Sequence, residues 1–178
     1  MPELPEVETV CRGLRAKLLG RRIERVEVRR PDLRIPFPAD FASRLTGRTV
    51  KSIDRRSKYI LVRLDDGVVL ISHLGMSGRL VIFQTRVPPG PHDHVLIAMD
   101  DGICVVMNDV RRFGLMTLAR ESELGEHPLL AGLGPEPLSR DFDDAYLTRV
   151  LAGRRTPIKA ALLDQRVVAG IGNIYACE

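Results

Sequence analysis

Cysteine is scarce in this chain and badly placed for joint work. Cys11, Cys104 and Cys177 are odd in number and far apart, and no C-x-x-C pair exists. The sequence therefore carries neither a disulfide framework nor a recognisable zinc site, and a reducing cytoplasm fits that usage. Long apolar runs are missing too: none is long enough to span a membrane. The N-terminus lacks a basic region followed by an apolar stretch, so no signal peptide is read. There is no internal repeat and no low-complexity segment.

What is present has the balance of a folded, soluble protein: 44% hydrophobic and 28% charged residues. A length of 178 residues is enough for one sizeable core, or for one domain plus a fragment of another. Net charge is +4, and arginines cluster as Arg21-Arg22, Arg29-Arg30, Arg55-Arg56, Arg111-Arg112 and Arg154-Arg155. A mild basic bias of this kind suits a polyanionic partner, although any single pair also fits an ordinary solvated face.

Residues 5 to 19 form an amphipathic helix by pattern, with Val7, Val10, Cys11, Leu14 and Leu18 on one face and Gly20 as its stop. IERVEV (23–28) reads as a strand, PDLRIPFPAD as a proline-rich loop, and residues 40 to 45 as a short helix. Strand patterns take over from Thr49. YILVRL and VVLISHL flank Asp65-Asp66-Gly67, and HVLIAM and ICVVM flank a second Asp-Asp-Gly, so two hairpins are expected at 59–74 and 94–107. RLVIF (79–83) and FGLMTLA (113–119) add further strands. The expected fold class is α+β: an antiparallel β-sandwich flanked by helices.

The grammar changes at LGPEPLS (133–139), which reads as a linker. Ser139 is the expected cap of a helix to about Leu151. Thr156-Pro157 opens another to about Leu163, and a third helix is expected to begin at Asn173-Ile174-Tyr175 after the Gly170–Gly172 turn. The chain stops there, so this helical part looks unfinished.

The opening MPELPEVETV poses a separate problem. Pro5 suits the first helical position, and Glu6 and Glu8 suit the positive end of the helix dipole. Pro2 and Glu3 precede that helix. Aminopeptidases remove an initiator Met that stands before a proline, which would leave Pro2 with a free secondary amine. An α-amino group titrates near pH 8, so a useful unprotonated fraction exists at neutral pH. Such an amine can attack a sugar carbon and give a charged iminium, with Glu3 as adjacent general acid and Glu6 one turn on.

Other residues suit nucleic acid. HLGMSG presents Met76 between Gly75 and Gly78, either as core filler or as an exposed wedge. NDVRRFG places Arg111 and Phe113 in a turn, where a guanidinium and an aromatic can enter a base stack. Lys58 stands just before a strand. His92 and His94 flank an Asp, and with no third ligand nearby a phosphate-contacting or structural role outranks metal binding. Asn173 sits where backbone N–H groups and its own amide can hold a phosphate.

Together PELPEVET, RRSKYI, SHLGMSGRL, HDHV, DVRRFG, LGPEPL, IK-x3-LLDQ and VVAGIGNIYA resemble bacterial formamidopyrimidine-DNA glycosylase, in order and over the whole chain. The resemblance implies a glycosylase and abasic-site lyase that removes oxidised purines, such as formamidopyrimidines and 8-oxoguanine, from double-stranded DNA. In that reading Pro2 is the nucleophile at C1′, Glu3 the general acid, Glu6 a supporting group, and Lys58 an aid to β,δ-elimination. Met76, Arg111 and Phe113 fill the gap left by a flipped base. His92, Arg111 and Asn173 contact the DNA backbone, with His73 and Lys159 in lesser roles. It also implies a monomer without a membrane, in the bacterial cytoplasm and nucleoid.

By resemblance the catalytic sandwich spans 1–134, and 135–178 begins a helix–two-turns–helix domain. The family's structural zinc finger lies beyond, so no cofactor is expected in this chain. One departure is Val110, where the family usually has proline. Two alternatives remain from the sequence: a truncated DNA-binding remnant without catalysis, and an isomerase using an N-terminal proline as base, which leaves Met76, the Arg-Arg-Phe turn and Asn173 without a purpose.

Overall fold

A computed structural model describes residues 1–178. Helix α1 (Leu4–Leu18) buries Val7, Cys11, Leu14 and Leu18, the stripe set by its helical spacing. Glu3 is its N-cap, so Pro5 stands at the second helical position rather than the first. That is harmless, because the first N–H groups of a helix have no partner inside it. Strand β1 (Ile23–Val28) and the short α2 (Phe41–Leu45) follow, separated by the proline-rich loop.

Seven more strands complete two antiparallel sheets: β2 (Val50–Arg56), β3 (Tyr59–Leu64), β4 (Val68–His73), β5 (Arg79–Phe83), β6 (Asp93–Met99), β7 (Cys104–Asn108) and β8 (Leu115–Arg120). One sheet has the order β1-β6-β7-β5 and the other β2-β3-β4-β8. The main core lies between them. Val95, Ile97, Val105 and Met107 of the first sheet meet Ile53, Ile60, Val62, Leu70 and Met116 of the second, and Phe41, Leu45 and the apolar stripe of α1 join them. At about 1.5–3 kcal/mol per fully buried aliphatic or aromatic side chain, this layer dominates stability.

The second sheet is covered on its other face as well. Leu61, Val69, Ile71 and Ala119 pack against Leu124, within the 3-10 turn Glu121–Glu126, and Leu130, which follows it. Burial on both sides explains why β3 and β4 read as nearly continuous apolar runs. The strand expected from Phe113 starts at Leu115, because Phe113 and Gly114 belong to the preceding loop.

Past the linker the helices are shorter than expected. Helix α3 (Asp144–Leu151) is capped by Asp143, whose carboxylate accepts from Tyr146 N–H at 2.7 Å. Ser139 instead closes a turn by donating to the Glu136 carbonyl. Helix α4 (Ile158–Leu163) has Pro157 itself as N-cap. Residues 173–177 are a run of turns, not a helix.

The register fixes where the loops fall. Tyr59 pairs with His73, His73 with Leu115, and Asn108 with both Arg79 and Asp93. The β2–β3 turn with Lys58, the β4–β5 loop with Met76, the start of β6 with His92, and the β7–β8 loop with Arg111 and Phe113 therefore share one end of the sandwich.

Candidate active site

Glu3 is the most constrained polar residue near the chain start. It is 2% exposed, and its carboxylate accepts N–H bonds from Gly172 (2.8 Å), Ile174 (2.7 Å) and Tyr175 (3.2 Å). Ile174 and Tyr175 lie where a third helix is expected to begin, and Gly172 in the turn before it; residues 173–177 are turns instead. Leu4 N–H adds a bond to the Gly170 carbonyl at 3.1 Å. Gly172 is required: a Cβ there would lie 2.5 Å from the Glu3 carboxyl carbon. Glu6 accepts from the Glu3 N–H at 3.0 Å, so the first turn of α1 is fixed from both sides.

Burial raises the Glu3 pKa, but the three N–H donors and the Lys58 charge outweigh it and hold the carboxyl below its ordinary range. Lys58 is 5% exposed. Burial pushes its ammonium below the usual lysine range, against the opposing pull of Glu3 and Glu6. Each group thus favours the charged form of the other, although no hydrogen bond or ion pair joins them.

Lys58 stands on the β2–β3 turn, after Ser57 in the left-handed region at φ 54°. Glu136 holds that turn. Its carboxylate accepts from Ser57 N–H (2.6 Å), Arg55 Nη1 (2.6 Å) and Arg56 Nη1 (2.9 Å). The Glu136 carboxyl is lowered in pKa although burial opposes it, because the Ser57 N–H and both arginines favour the charged form.

A cleft of about 410 Å³ opens over these groups, lined among others by Met1, Arg34, Lys58, His73, Gln165 and Asn173. His73 accepts Gly75 N–H at Nδ1 (2.9 Å), and its ring lies 4.9 Å from the Tyr59 ring. Burial first, then the charges of Arg34 and Lys58, lower its pKa to about 4. The ring is therefore neutral at pH 7, and with Nδ1 accepting, its proton sits on Nε2 as a donor.

Beside the cleft, Met76 and Phe113 are both 46% exposed, and Val110, in the same loop as Phe113, is 58% exposed. The Arg111 guanidinium lies over the Phe113 ring at 4.7 Å. Buried Asp109 ties the loops together: it accepts from Ser77 Oγ (2.6 Å) and Gly114 N–H (2.8 Å), while Ser77 Oγ accepts Arg111 N–H (3.0 Å). His94 is structural, with Nε2 2.8 Å from the Asp109 carbonyl. His92 is exposed beside Asp93. Lys159 is exposed on α4, with Nζ 3.0 Å from Cys177 Sγ, and it does not line the cleft.

Arg34, Asp109, Glu136 and Gln165 escaped the sequence reading. Arg34 lay inside a segment read only as loop and Glu136 inside a linker. Asp109 had a usable signal, an Asp opening a turn that closes on a glycine. The residues present do not fit a zinc ion: no three His, Cys, Asp or Glu side chains are gathered for one, and Cys11 and Cys104 are buried apart from exposed Cys177.

Two family models match this chain: the formamidopyrimidine-DNA glycosylase N-terminal domain over residues 1–116, and the H2TH domain of the same enzymes over 133–178. The chain belongs to the formamidopyrimidine-DNA glycosylase family. It is 57% identical to the formamidopyrimidine-DNA glycosylase of Rhodospirillum rubrum over 180 aligned positions, covering 100% of this chain and 64% of that protein. Its fold is similar to Lactococcus lactis Fpg in complex with an abasic site containing DNA (TM-score 0.90, 35% identity, 98% of this chain and 65% of the other). It is also similar to the MutM (Fpg) protein from Thermus thermophilus (TM-score 0.84, 41% identity, 98% and 62%). The chain thus spans just under two thirds of the length of these relatives.

Proposed function

We propose that this protein is a base-excision repair glycosylase and abasic-site lyase acting on oxidised purines, formamidopyrimidines and 8-oxoguanine among them, in double-stranded DNA. The observation that carries the reading is the convergence of the chain start, the Glu3 cradle and Lys58 on one cleft at the loop end of the sandwich. With Met1 removed, Pro2 would present its amine beside an ionised Glu3. Glu3 takes the proton from that amine. The neutral nitrogen attacks C1′ as the bond to the damaged base breaks, and the N–H proton left on the new C1′ adduct passes to the departing base anion. Glu3 then returns its proton to the ring oxygen as the sugar opens to an iminium. Lys58, whose ammonium is lowered by burial, serves proton transfer in the β- and δ-eliminations that free the two phosphates.

Met76, Arg111 and Phe113 form the wedge that replaces a flipped base, and Asn173, His73, His92 and Lys159 contact phosphates. The proposed division is a catalytic β-sandwich domain over 1–134 and part of a helix–two-turns–helix DNA-binding domain over 135–178, in a cytoplasmic monomer that meets the nucleoid through DNA. No helix is long and apolar enough to cross a membrane. The test is incubation of the chain with Met1 removed with a duplex carrying 8-oxoguanine in the presence of borohydride. A reduced covalent protein–DNA adduct is expected. Binding of the duplex without any adduct would instead favour a DNA-binding remnant.

A further inference from the structure

Gln165, which precedes the Gly170 turn, reaches back across the molecule. Its amide has two acceptor and two donor places, and all four are used. Oε1 accepts from Ser57 Oγ (3.1 Å) and Gly170 N–H (2.8 Å). Nε2 donates to the carbonyls of Ile171 (2.8 Å) and Leu163 (3.1 Å). This pattern fixes the orientation of the amide, since a flipped one would put NH₂ against the Gly170 N–H. It also excludes glutamate as an equivalent, because a carboxylate would face two carbonyl oxygens with nothing to donate.

The two ends of the bridge are the supports of the two charged groups. Ser57 immediately precedes Lys58, and Gly170–Ile171 leads into the Gly172–Tyr175 turn that holds the Glu3 carboxylate. No other side chain in the cleft bonds to both. Ser57 depends on outside support, being a non-glycine residue at φ 54° and 1% exposed. Glu136 supplies part of that support through the Ser57 N–H, Arg55 part through the Ser57 carbonyl (2.9 Å), and Gln165 the bond to the hydroxyl.

We propose that Gln165 is a positioning residue, a cross-brace that fixes the Lys58 turn against the cradle of Glu3. The proposal rests on the reading of the site given above. It acts through geometry alone and gives Gln165 no contact with the reacting atoms.

The test uses the 178-residue chain with Gln165→Leu, which keeps the volume and loses every hydrogen bond, and with Ser57→Ala, which removes one strut. Two quantities are read. The first is the rate of borohydride trapping on duplex DNA with an abasic site, beside the Kd for the same duplex. The second needs no DNA. The chain has four lysines, Lys17, Lys51, Lys58 and Lys159, so reductive methylation with ¹³C-formaldehyde gives an assignable Lys58 resonance.

With Gln165→Leu the trapping rate is expected to fall about 10-fold or more with Kd nearly unchanged, and the Lys58 resonance to move. Ser57→Ala should do the same more weakly. A Lys58 resonance at its wild-type position in folded Ser57→Ala or Gln165→Leu would overturn the brace, as would a Kd that weakens in step with the rate. If Gln165→Leu does not fold, Ser57→Ala decides. A wild-type chain that gives no adduct counts against the proposed function, while the DNA-free resonance still decides the brace.

Discussion

Glu3 joins a structural role to the proposed chemistry. It accepts three backbone N–H bonds that no water can replace at 2% exposure. In Glu3→Gln the side-chain NH₂ must face at least one of those donors, and the variant is expected to lose about 1–3 kcal/mol in urea unfolding and to abolish trapping. The pH dependence follows from the same bonds. Glu3, Glu8 and Glu136 all lie below the ordinary 4.5, so each contributes stability that is fully present above 4.5 and is lost as pH falls through its folded value. Thermal unfolding should therefore shift down on acidification below 4.5, and Glu136→Gln should flatten that dependence. Glu3 could be singled out in the sequence because it precedes the helix signal at Pro5, and Pro2 because the proposed amine must be the chain terminus. Glu136 and Gln165 could not, because their partners lie 81 and 108 positions away in the chain and only the fold brings them together.

At the scale of elements, the sandwich was legible and the tail less so. Short apolar runs and the two Asp-Asp-Gly turns located the strands, because run length and turn chemistry are local. The start of α3 was misplaced since Asp143 outcompetes Ser139 as cap, and nothing local ranks two good caps. The turns at 173–177 set the Ile174 and Tyr175 N–H groups on Glu3, a contact with the far end of the chain that no local pattern shows. The two wedge loops depend on a close approach that the sequence shows only as glycines. Gly75 has φ +62, and a Cβ there would lie 2.3 Å from the Phe113 carbonyl carbon. Gly75→Ala should push the Arg111–Phe113 loop away and cost about 1–3 kcal/mol, read as a lower Tm together with weaker binding of damaged duplex.

For the whole molecule, the common end of the two sheets gathers Lys58, His73, Met76, His92, Arg111 and Phe113 into one face of a chain with net charge +4. Binding to DNA through that face must release counterions, so log K should fall linearly with log salt. Arg111→Ala should reduce the slope by about 1 if it removes one phosphate contact. The account stands or falls on the chain terminus. Chain with Met1 retained and chain with Met1 removed, distinguished by intact mass, should be incubated with abasic duplex and borohydride, and the adduct mapped by peptide sequencing. The account predicts a covalent adduct at Pro2 in the processed chain and none in the chain that keeps Met1. Equal trapping of both, or attachment at Lys58 in place of Pro2, would contradict it.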